Sequence, residues 1–244
     1  MQAALRRMAE VGIPAVQLDA TLSGIRPREL SPRTRKDLAA LIQRQGLRLA
    51  GLDLFIPRSH YLESDRQDRA INAALAAIEL AADLGRVPLS LRLPVGQMER
   101  ALLGVLVEAA DGHGTVLTVH AEDQVEDLLT WLDEVDHSLV GAALDPTVPL
   151  AASSDPSVVA QQIASRLIVA RIGDLVAPGS ADAAAASARC PIGEGDLDVM
   201  AYRVSVDLAS RRCGPVVLDL RGLIDPIGAS QIGSKAWHNA TMIL

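Results

Sequence analysis

The 244-residue chain carries 30 acidic and 23 basic residues, which gives a formal net charge of -7 and a pI near 5.2. Because a polyanion is bound by a basic face, this balance argues against nucleic acid as the main partner. Aromatic residues make up only 2% of the chain, so the stacking platform that binds single-stranded nucleic acid is also missing.

The cysteines and the hydropathy pattern indicate a cytoplasmic protein. Cys190 and Cys213 have neither a metal-ligand spacing nor a CxxC pattern, which favours a reducing compartment over a disulfide framework. No apolar run reaches the roughly 18 residues that a membrane span needs. The opening segment is amphipathic, unlike the apolar core of a signal peptide. We therefore expect no membrane partner.

Amphipathic helices alternate with short β-branched runs along the whole chain. The predicted helices occupy residues 1–12, 31–46, 65–85, 98–112, 123–135, 155–165, 196–211 and 226–237. The predicted strands occupy residues 15–20, 47–57, 88–95, 115–123, 141–146, 166–174 and 215–221. This alternation requires a parallel sheet, and about 250 residues is typical of one β/α barrel. We therefore predict an α/β protein with a single domain over residues 1–244, a (β/α)8 TIM-type barrel.

The predicted barrel lacks its first strand, because only seven strands are found and the chain opens on a helix. Either translation starts upstream and an eighth strand precedes Met1, or the barrel has a seam between residues 15–20 and 215–221. A seam would leave two strand edges unpaired, which is unfavourable unless something covers them. We therefore favour an upstream start.

Each predicted strand reaches a polar residue only near its carboxyl end. These residues are Asp19, Asp53, Arg92, His120, Asp145, Arg171 and Asp219. In a parallel barrel the carboxyl ends share one rim, and active sites are built at that rim. Gln17, Asp53 and Arg92 are candidates for hydrogen bonds to the hydroxyls of a sugar or polyol. The alternative is a buried polar layer whose members satisfy one another.

A connection of about 20 residues follows the strand that ends near Asp174. Loops of that length in a compact domain are usually functional or mobile. Its alanine-rich half is interpreted as a disordered insertion. The GEGD segment at residues 193–196 has glycines that let the backbone approach a ligand closely. Asp174 and Glu194 are therefore candidate substrate-binding residues.

Among the histidines, His120 is the one candidate for proton transfer. Glu122 shares its side of the strand, although a lone histidine at a strand end is more often a structural group. His60 is interpreted as an ordinary exposed loop residue. No role is assigned to the remaining histidines, His113, His137 and His238.

Four segments together resemble the xylose isomerase-like barrel superfamily. They are ALDP at 143–146, ARIGD at 170–174, PIGEGDLD at 191–198 and IELAADLG at 78–85. The resemblance covers nearly the whole chain, and the superfamily includes sugar isomerases, sugar epimerases and apurinic endonucleases. An endonuclease would need many metal-ligating histidines and a basic surface, and this sequence has neither. The resemblance therefore implies sugar chemistry, with proton transfer next to a carbonyl.

The resemblance also implies a divalent metal, held by a glutamate, an aspartate, a histidine and a glutamate from four successive strands. The matching positions here are His120, Asp145, Arg171 and Asp219, so only the aspartate at 145 is unchanged. A permanent guanidinium at the histidine position puts a cation where a ligand should be. We therefore expect magnesium, manganese and zinc to bind poorly. If a metal does bind, its ligands are expected to be His120, Asp145 and Asp219.

We expect Arg171 to lie between Asp145 and Asp219 and to neutralise both through fork-like hydrogen bonds, in place of the metal. The alternative is that Arg171 points outward to a helix. The resulting hypothesis is a divergent sugar isomerase or epimerase that binds a small carbohydrate-type ligand at the carboxyl rim. Its candidate acid and base groups are His120 or Glu122 and Asp219. The alternative is a catalytically inactive binding or scaffold protein that retains the fold.

Overall fold

The computed structural model describes residues 1–121, 123–176, 188–209, 214 and 216–240. The helices in these ranges are α1 (Gln2–Glu10), α2 (Pro32–Arg44), α3 (Gln67–Asp83), α4 (Arg100–His113), α5 (Val125–Val135), α6 (Thr147–Ala151), α7 (Pro156–Gln162), α8 (Val199–Ala209) and α9 (Pro226–Asn239). The strands are β1 (Ala15–Asp19), β2 (Arg48–Leu54), β3 (Leu89–Leu91), β4 (Leu117–His120), β5 (Val140–Leu144), β6 (Leu167–Ile172), β7 (Asp174–Val176), β8 (Ala188–Cys190) and β9 (Val217–Leu218). Two single 3-10 turns lie at Pro27–Glu29 and Arg58–Tyr61.

The described strands form a seven-stranded sheet in the order β1-β2-β3-β4-β5-β6-β9. Strand β1 pairs with β2, β2 with β3, β3 with β4, β5 with β6 and β6 with β9, each in parallel, and helices separate successive strands of this sheet along the chain. Sequential order with parallel pairing is the strand topology of a β/α barrel. The predicted fold class is therefore confirmed. Within the described residues, no helix combines the length and the apolar character that crossing a membrane requires.

The chain divides into two compact units, and the division falls inside β5. The first unit contains Met1–His120 and Glu126–Gly141, and the second contains Ala121–Val125 and Ala142–Leu244. In the first unit, β1 to β4 pair in parallel, and Leu52, Leu89 and Leu117 are completely buried. Continuous apolar runs are typical of parallel strands that are covered on both faces.

Helix α3 shows how closely helical spacing predicts burial in this unit. Ala74 and Ile78 are completely buried, as the spacing predicts. Leu75 and Ala82 are predicted for the same face but are only half-buried. The buried stripe of α3 is therefore shifted around the helix relative to the predicted face. Its other buried members are Ala70, Ile71, Ala77, Leu80 and Ala81.

In the second unit, β6 pairs in parallel with β5 and with β9. Strand β9 contains only two residues, whereas the sequence predicts a strand over 215–221. Helix α6 is absent from the sequence-based prediction, and α8 begins at Val199 rather than near residue 196. Tyr202 of α8 is completely buried and donates a hydrogen bond of 2.8 Å to the carbonyl oxygen of Arg171 on β6.

The connection after β6 contains a β-ribbon that the sequence-based prediction lacks. Strands β7 and β8 pair antiparallel, with Asp174 opposite Cys190 and Val176 opposite Ala188. The predicted loop is therefore partly regular structure. The alanine-rich segment that was interpreted as a disordered insertion falls largely on residues 177–187, outside the described part of the chain.

Candidate functional site

Three buried charged residues meet at the carboxyl ends of the parallel strands in the second unit. Asp145 follows β5, Arg171 is near the end of β6 and Asp219 follows β9. Nη1 of Arg171 lies 3.4 Å from Oδ2 of Asp219 and 3.8 Å from Oδ2 of Asp145. Arg171 thus lies between the two carboxylates, as the sequence predicts. The contact of 3.8 Å with Asp145 is longer than a hydrogen bond, so the expected fork-like hydrogen bonds to both carboxylates are not formed.

Arg189 on β8 bridges the same two carboxylates at shorter distances. Its Nη2 lies 2.8 Å from Oδ2 of Asp145, and its Nη1 lies 2.9 Å from Oδ2 of Asp219. Nη2 also donates to the hydroxyl of Thr147, at 2.9 Å. The sequence analysis missed this residue, because it adjoins an alanine-rich stretch and reaches the cluster only through the β7–β8 ribbon.

Arg221 forms the third cationic contact. Its Nε donates to Oδ1 of Asp219 at 2.8 Å and its Nη2 contacts Oδ2 of the same carboxylate, which makes a two-pronged pair. Nη2 is also 4.0 Å from Oδ2 of Asp145. The two-residue spacing of Asp219 and Arg221 within the predicted strand 215–221 indicated a shared face, and the sequence analysis did not use this signal.

Together these five residues, Asp145, Arg171, Arg189, Asp219 and Arg221, form what we call the rim cluster. Burial alone would raise the pKa of Asp145, but the guanidinium groups of Arg189 and Arg171 outweigh it and lower that pKa. Burial acts in the same way on Asp219, and the hydrogen bonds from Arg221 with the charges of Arg189 and Arg171 lower its pKa further. Both carboxylates are therefore ionised at neutral pH.

Helix α6 fixes the position of Asp145. The backbone N–H and the hydroxyl of Thr147 both donate to Oδ1 of Asp145, at 3.1 and 2.7 Å. Oδ1 of Asp145 thus accepts hydrogen bonds from Thr147, while Oδ2 faces the guanidinium groups of Arg171 and Arg189. This division of its oxygens holds the carboxylate in one orientation.

Asp174 holds the segment that follows the ribbon. Its two carboxylate oxygens accept backbone N–H groups from Leu175, Gly193, Gly195 and Leu197, at 2.8 to 3.1 Å. A Cβ at Gly195 would lie 2.3 Å from Oδ1 of Asp174, so only glycine fits this close approach. The predicted close backbone approach at GEGD is therefore made to Asp174. A contact of Asp174 or of the exposed Glu194 with substrate stays a prediction.

The first unit holds the predicted site residues Gln17, Asp53, Arg92 and His120. His120 and Asp53 are both buried, and Nε2 of His120 lies 3.7 Å from Oδ1 of Asp53. Ser90 and Thr118 on neighbouring strands share a buried hydrogen bond of 2.9 Å. The Ser90–Thr118 hydrogen bond fits the alternative of a buried polar layer, whereas 3.7 Å is too long for a hydrogen bond between His120 and Asp53.

The remaining predicted residues differ in their surroundings. Gln17 lies beside Gly51 of the neighbouring strand, and Arg92 is half-buried. Glu122 lies outside the described residues. His60 belongs to a 3-10 turn and is half-buried, so the interpretation of an ordinary exposed loop residue is wrong. The turn packs against α3.

Comparison with known proteins identifies the family. The sequence matches the family described as a xylose isomerase-like TIM barrel over residues 5–221. The chain belongs to the xylose isomerase-like TIM barrel family. This membership confirms the resemblance found in the sequence. No curated protein matches the chain.

Solved structures of the xylose isomerase-like barrels match at low sequence identity. A xylose isomerase domain protein from Planctomyces limnophilus has a TM-score of 0.79 at 14% identity, with 97% of this chain and 90% of that chain covered. A D-tagatose 3-epimerase-like protein has a TM-score of 0.76 at 15% identity, with 98% and 94% covered. A Mycobacterium smegmatis protein in complex with magnesium has a TM-score of 0.68 at 17% identity, with 98% and 88% covered. At these identities the likeness shows the shared fold.

The rim cluster does not fit the metal that the family resemblance implies. A hard divalent cation needs several anionic or neutral oxygens with lone pairs directed at it. Here each carboxylate is bonded to guanidinium groups, which have no lone pair to offer. Among the described residues, no group of three or more His, Cys, Asp or Glu side chains is placed to hold a metal ion.

Proposed function

We propose that this chain is a sugar isomerase/epimerase-like protein that binds a small carbohydrate-type ligand at the rim cluster without a divalent metal. Its family and the sugar epimerases among its structural neighbours, such as L-ribulose 3-epimerase and D-psicose 3-epimerase, support a carbohydrate ligand. The observation that carries the proposal is the set of three guanidinium groups on Asp145 and Asp219.

The arginines of the rim cluster differ in how much of each side chain is exposed to solvent. Arg171 is buried, whereas the side chains of Arg189 and Arg221 are 25% and 41% exposed. Asp145 and Asp219 are more buried and hold the guanidinium groups of Arg189 and Arg221 in place. Little side-chain entropy is therefore lost when a ligand binds to these two arginines. Guanidinium N–H groups then donate to the hydroxyl or carbonyl oxygens of a sugar.

Proton transfer next to a carbonyl needs a group that gains and loses a proton near neutral pH. Asp219 is a poor choice, because its guanidinium contacts lower its pKa and keep it ionised. His120 remains a better candidate than Asp219, since an imidazole can both accept and donate a proton and the carboxylate of Asp53 lies beside it. The acid–base roles that the sequence predicts for His120 or Glu122 stay predictions.

The alternative function is ligand binding without catalysis. It is favoured by the same contacts, because Asp145 and Asp219 are both neutralised by arginine and so have lost the metal-binding role that the family resemblance implies. Both functions predict the same ligand class. They differ only in whether a bound sugar exchanges a carbon-bound hydrogen with solvent.

Calorimetric titration in excess EDTA tests binding, with aldoses, ketoses and their acid and phosphate derivatives as probes. We expect at least one of these compounds to bind, and Arg189→Gln to weaken that binding at least ten-fold. Arg100→Gln is the matched control, because Arg100 is half-exposed and pairs with Glu134 on α5. Absence of binding by the whole panel would overturn the proposal.

Incubation of each bound sugar in deuterated water tests catalysis. Deuterium next to the carbonyl, found by NMR and lost in His120→Asn, supports the isomerase/epimerase-like function. Binding without exchange supports the inactive alternative.

A further inference from the structure

The hydroxyl group of Thr147, at the start of α6, lies between an acidic and a basic member of the rim cluster. Its Oγ1 is 2.7 Å from Oδ1 of Asp145 and 2.9 Å from Nη2 of Arg189. Thr147 is only 4% exposed, so both contacts are shielded from bulk water. A single buried hydroxyl therefore connects the carboxylate to the guanidinium group.

The chemistry of the three groups fixes the direction of both hydrogen bonds. An ionised carboxylate only accepts, a guanidinium group only donates, and a hydroxyl does both. Thr147 therefore donates its hydroxyl hydrogen to Asp145, and its oxygen accepts an N–H from Arg189. Successive hydrogen bonds of this kind polarise and strengthen one another. The hydroxyl of Thr147 thus has one orientation, which Asp145 sets.

Within the described residues, the side-chain hydrogen bonds of Arg189 are all made by Nη2. This nitrogen donates to Oδ2 of Asp145 at 2.8 Å and to Oγ1 of Thr147. Nη1 lies 2.9 Å from Oδ2 of Asp219 but has no hydrogen-bond partner among these residues, because its N–H groups are not directed at that oxygen. Asp219 therefore attracts Arg189 without fixing the plane of its guanidinium group. That plane depends on Asp145 and Thr147.

The methyl group of Thr147 lies against Gly173, the residue between β6 and β7. A Cβ added at Gly173 would lie 3.3 Å from Cγ2 of Thr147 and 3.5 Å from Nη1 of Arg189. Because threonine is branched at Cβ, packing of its methyl group also sets the direction of its hydroxyl. Glycine at position 173 thus leaves the space that both side chains occupy.

We infer that Thr147 is a positioning residue, whose hydroxyl orients the guanidinium group of Arg189 for the ligand of the rim cluster. The inference rests on the proposed function and adds a residue that the sequence analysis did not single out. Arg189 is 25% exposed and donates to the ligand, whereas the buried Thr147 acts only through Arg189. An oriented donor binds more tightly than a mobile one, because no side chain has to be ordered when the ligand binds.

The orientation of Arg189 is measured without any ligand, by NMR of the guanidinium nitrogens in the full chain. Rotation about the Nε–Cζ bond exchanges Nη1 with Nη2, and Arg189→Gln identifies the two signals. We expect exchange in Thr147→Val to be about ten-fold faster than in the parent chain, since a hydrogen bond from a charged group is lost. The backbone N–H of Thr147 still donates to Asp145 in this variant, so the turn is kept. Thr147→Ser should restore slow exchange.

Thr115→Val is the matched control for Thr147→Val. Thr115 is also completely buried, but it lies in the first unit and its hydroxyl donates to the carbonyl oxygen of Ile78. Exchange at Arg189 should stay slow in this control. Gly173→Ala is the second variant if Thr147→Val does not fold. It leaves every polar group in place and displaces the methyl group of Thr147, so it should also accelerate exchange.

The consequence for binding is measured by calorimetry in EDTA, with D-fructose, D-glucose, D-gluconate and D-glucose 6-phosphate as probes. For each probe that binds the parent chain, Thr147→Val should weaken binding by about three- to ten-fold, the cost of ordering one mobile side chain. Thr147→Ser should restore most of the affinity. In the Arg189→Gln background, Thr147→Val should have no further effect, because Thr147 acts only through Arg189.

Unchanged exchange in Thr147→Val, or in Gly173→Ala where the first variant does not fold, overturns the inference. Equal acceleration in Thr115→Val overturns it as well, and so does an equal loss of affinity from Thr147→Val with and without Arg189. Each of these results leaves the proposed function standing. Absence of binding by all four probes overturns the inference, and only failure of the wider sugar panel overturns the proposed function.

Discussion

Asp219 accepts contacts from the guanidinium groups of Arg171, Arg189 and Arg221. Removing two buried carboxylates from water is costly, and only close pairing with well-placed donors offsets that cost. Asp145 shares two of the same arginines at less than 4 Å. The five side chains therefore behave as one unit, and substitutions within it will not be additive.

Replacement of the most connected residue should destabilise the protein strongly. Asp219→Asn leaves three guanidinium groups with one carboxylate, and one of those arginines is fully buried. Loss of one partner from a buried pair typically costs about 3–5 kcal/mol. Arg171→Met should lower the free energy of unfolding by less than Asp219→Asn does, because Arg189 and Arg221 still neutralise both carboxylates. Urea unfolding at pH 7 measures both values.

Asp207→Asn is the control for Asp219→Asn. Asp207 pairs with Arg203 one helical turn away and is 50% exposed, so its loss should cost only about 0.3–0.5 kcal/mol. If Asp219→Asn is no more costly than this control, the rim cluster does not stabilise the fold.

The same carboxylates predict a dependence of stability on acid. Asp145 and Asp219 have pKa values in the folded state below their ordinary value of 3.8, so the unfolded chain binds protons first as the pH falls. The two carboxylates therefore contribute fully to the free energy of unfolding at pH values above their ordinary pKa. This contribution is lost as the pH falls toward their lower pKa values in the folded state. We expect the urea midpoint to drop between pH 5 and pH 3, measured by circular dichroism.

In Asp145→Asn the urea midpoint should fall less between pH 5 and pH 3 than in the parent protein. In Asp207→Asn it should fall as much as in the parent protein. A midpoint for the parent that does not change between pH 5 and pH 3 would show that the two carboxylates keep ordinary pKa values.

Among the elements, the β/α repeat was predictable, because helical spacing and parallel-strand composition are local properties of the sequence. The β7–β8 ribbon was not predictable, because its strands have only three residues each, Asp174–Val176 and Ala188–Cys190. Three residues are too few to show the alternation of polar and apolar residues that predicts a strand. Helix α6 was missed for the same reason, since it has only five residues and contains Pro149. Strand β9 has two residues, and its predicted length was wrong.

The rim cluster was partly predictable on the same grounds. Asp145, Arg171 and Asp219 could be placed together because the carboxyl ends of parallel strands lie at one edge. Arg189 could not, since it arrives on an antiparallel ribbon whose pairing is a tertiary property. The predicted roles of these residues in binding or catalysis remain predictions.

A glycine inside a helix and a glycine that follows a helix should respond oppositely to replacement by alanine. Gly104 lies inside α4, and a Cβ there would meet no atom within 4 Å. Gly104→Ala should therefore stabilise the protein by about 0.5–1 kcal/mol, because glycine weakens a helix interior. Gly46 follows α2 with φ of +74°, so Gly46→Ala should destabilise by about 1–2 kcal/mol. Thermal unfolding of both variants measures the difference, and two shifts of the same sign would contradict it.

At the scale of the whole molecule, the arginines predict that stability is independent of divalent metal. A metal that binds with its Kd one hundred-fold below the added concentration would stabilise the folded chain by about 2.7 kcal/mol. We expect no such increase when 1 mM magnesium, manganese or zinc is added to EDTA-treated protein. Thermal unfolding and metal analysis after dialysis give independent measurements. Stoichiometric metal after dialysis would contradict the prediction, and Asp145, Asp219 and His120 would be the ligands to replace first.

The three-arginine arrangement also constrains how a metal site could be engineered into this protein. Such a site would require replacement of Arg171, Arg189 and Arg221, since each contacts a carboxylate that a metal would use. Each single replacement removes a cation from buried carboxylates before a metal can take its place, so the singly substituted proteins lose stability. We therefore expect a metal-binding variant only when the three arginines are replaced together.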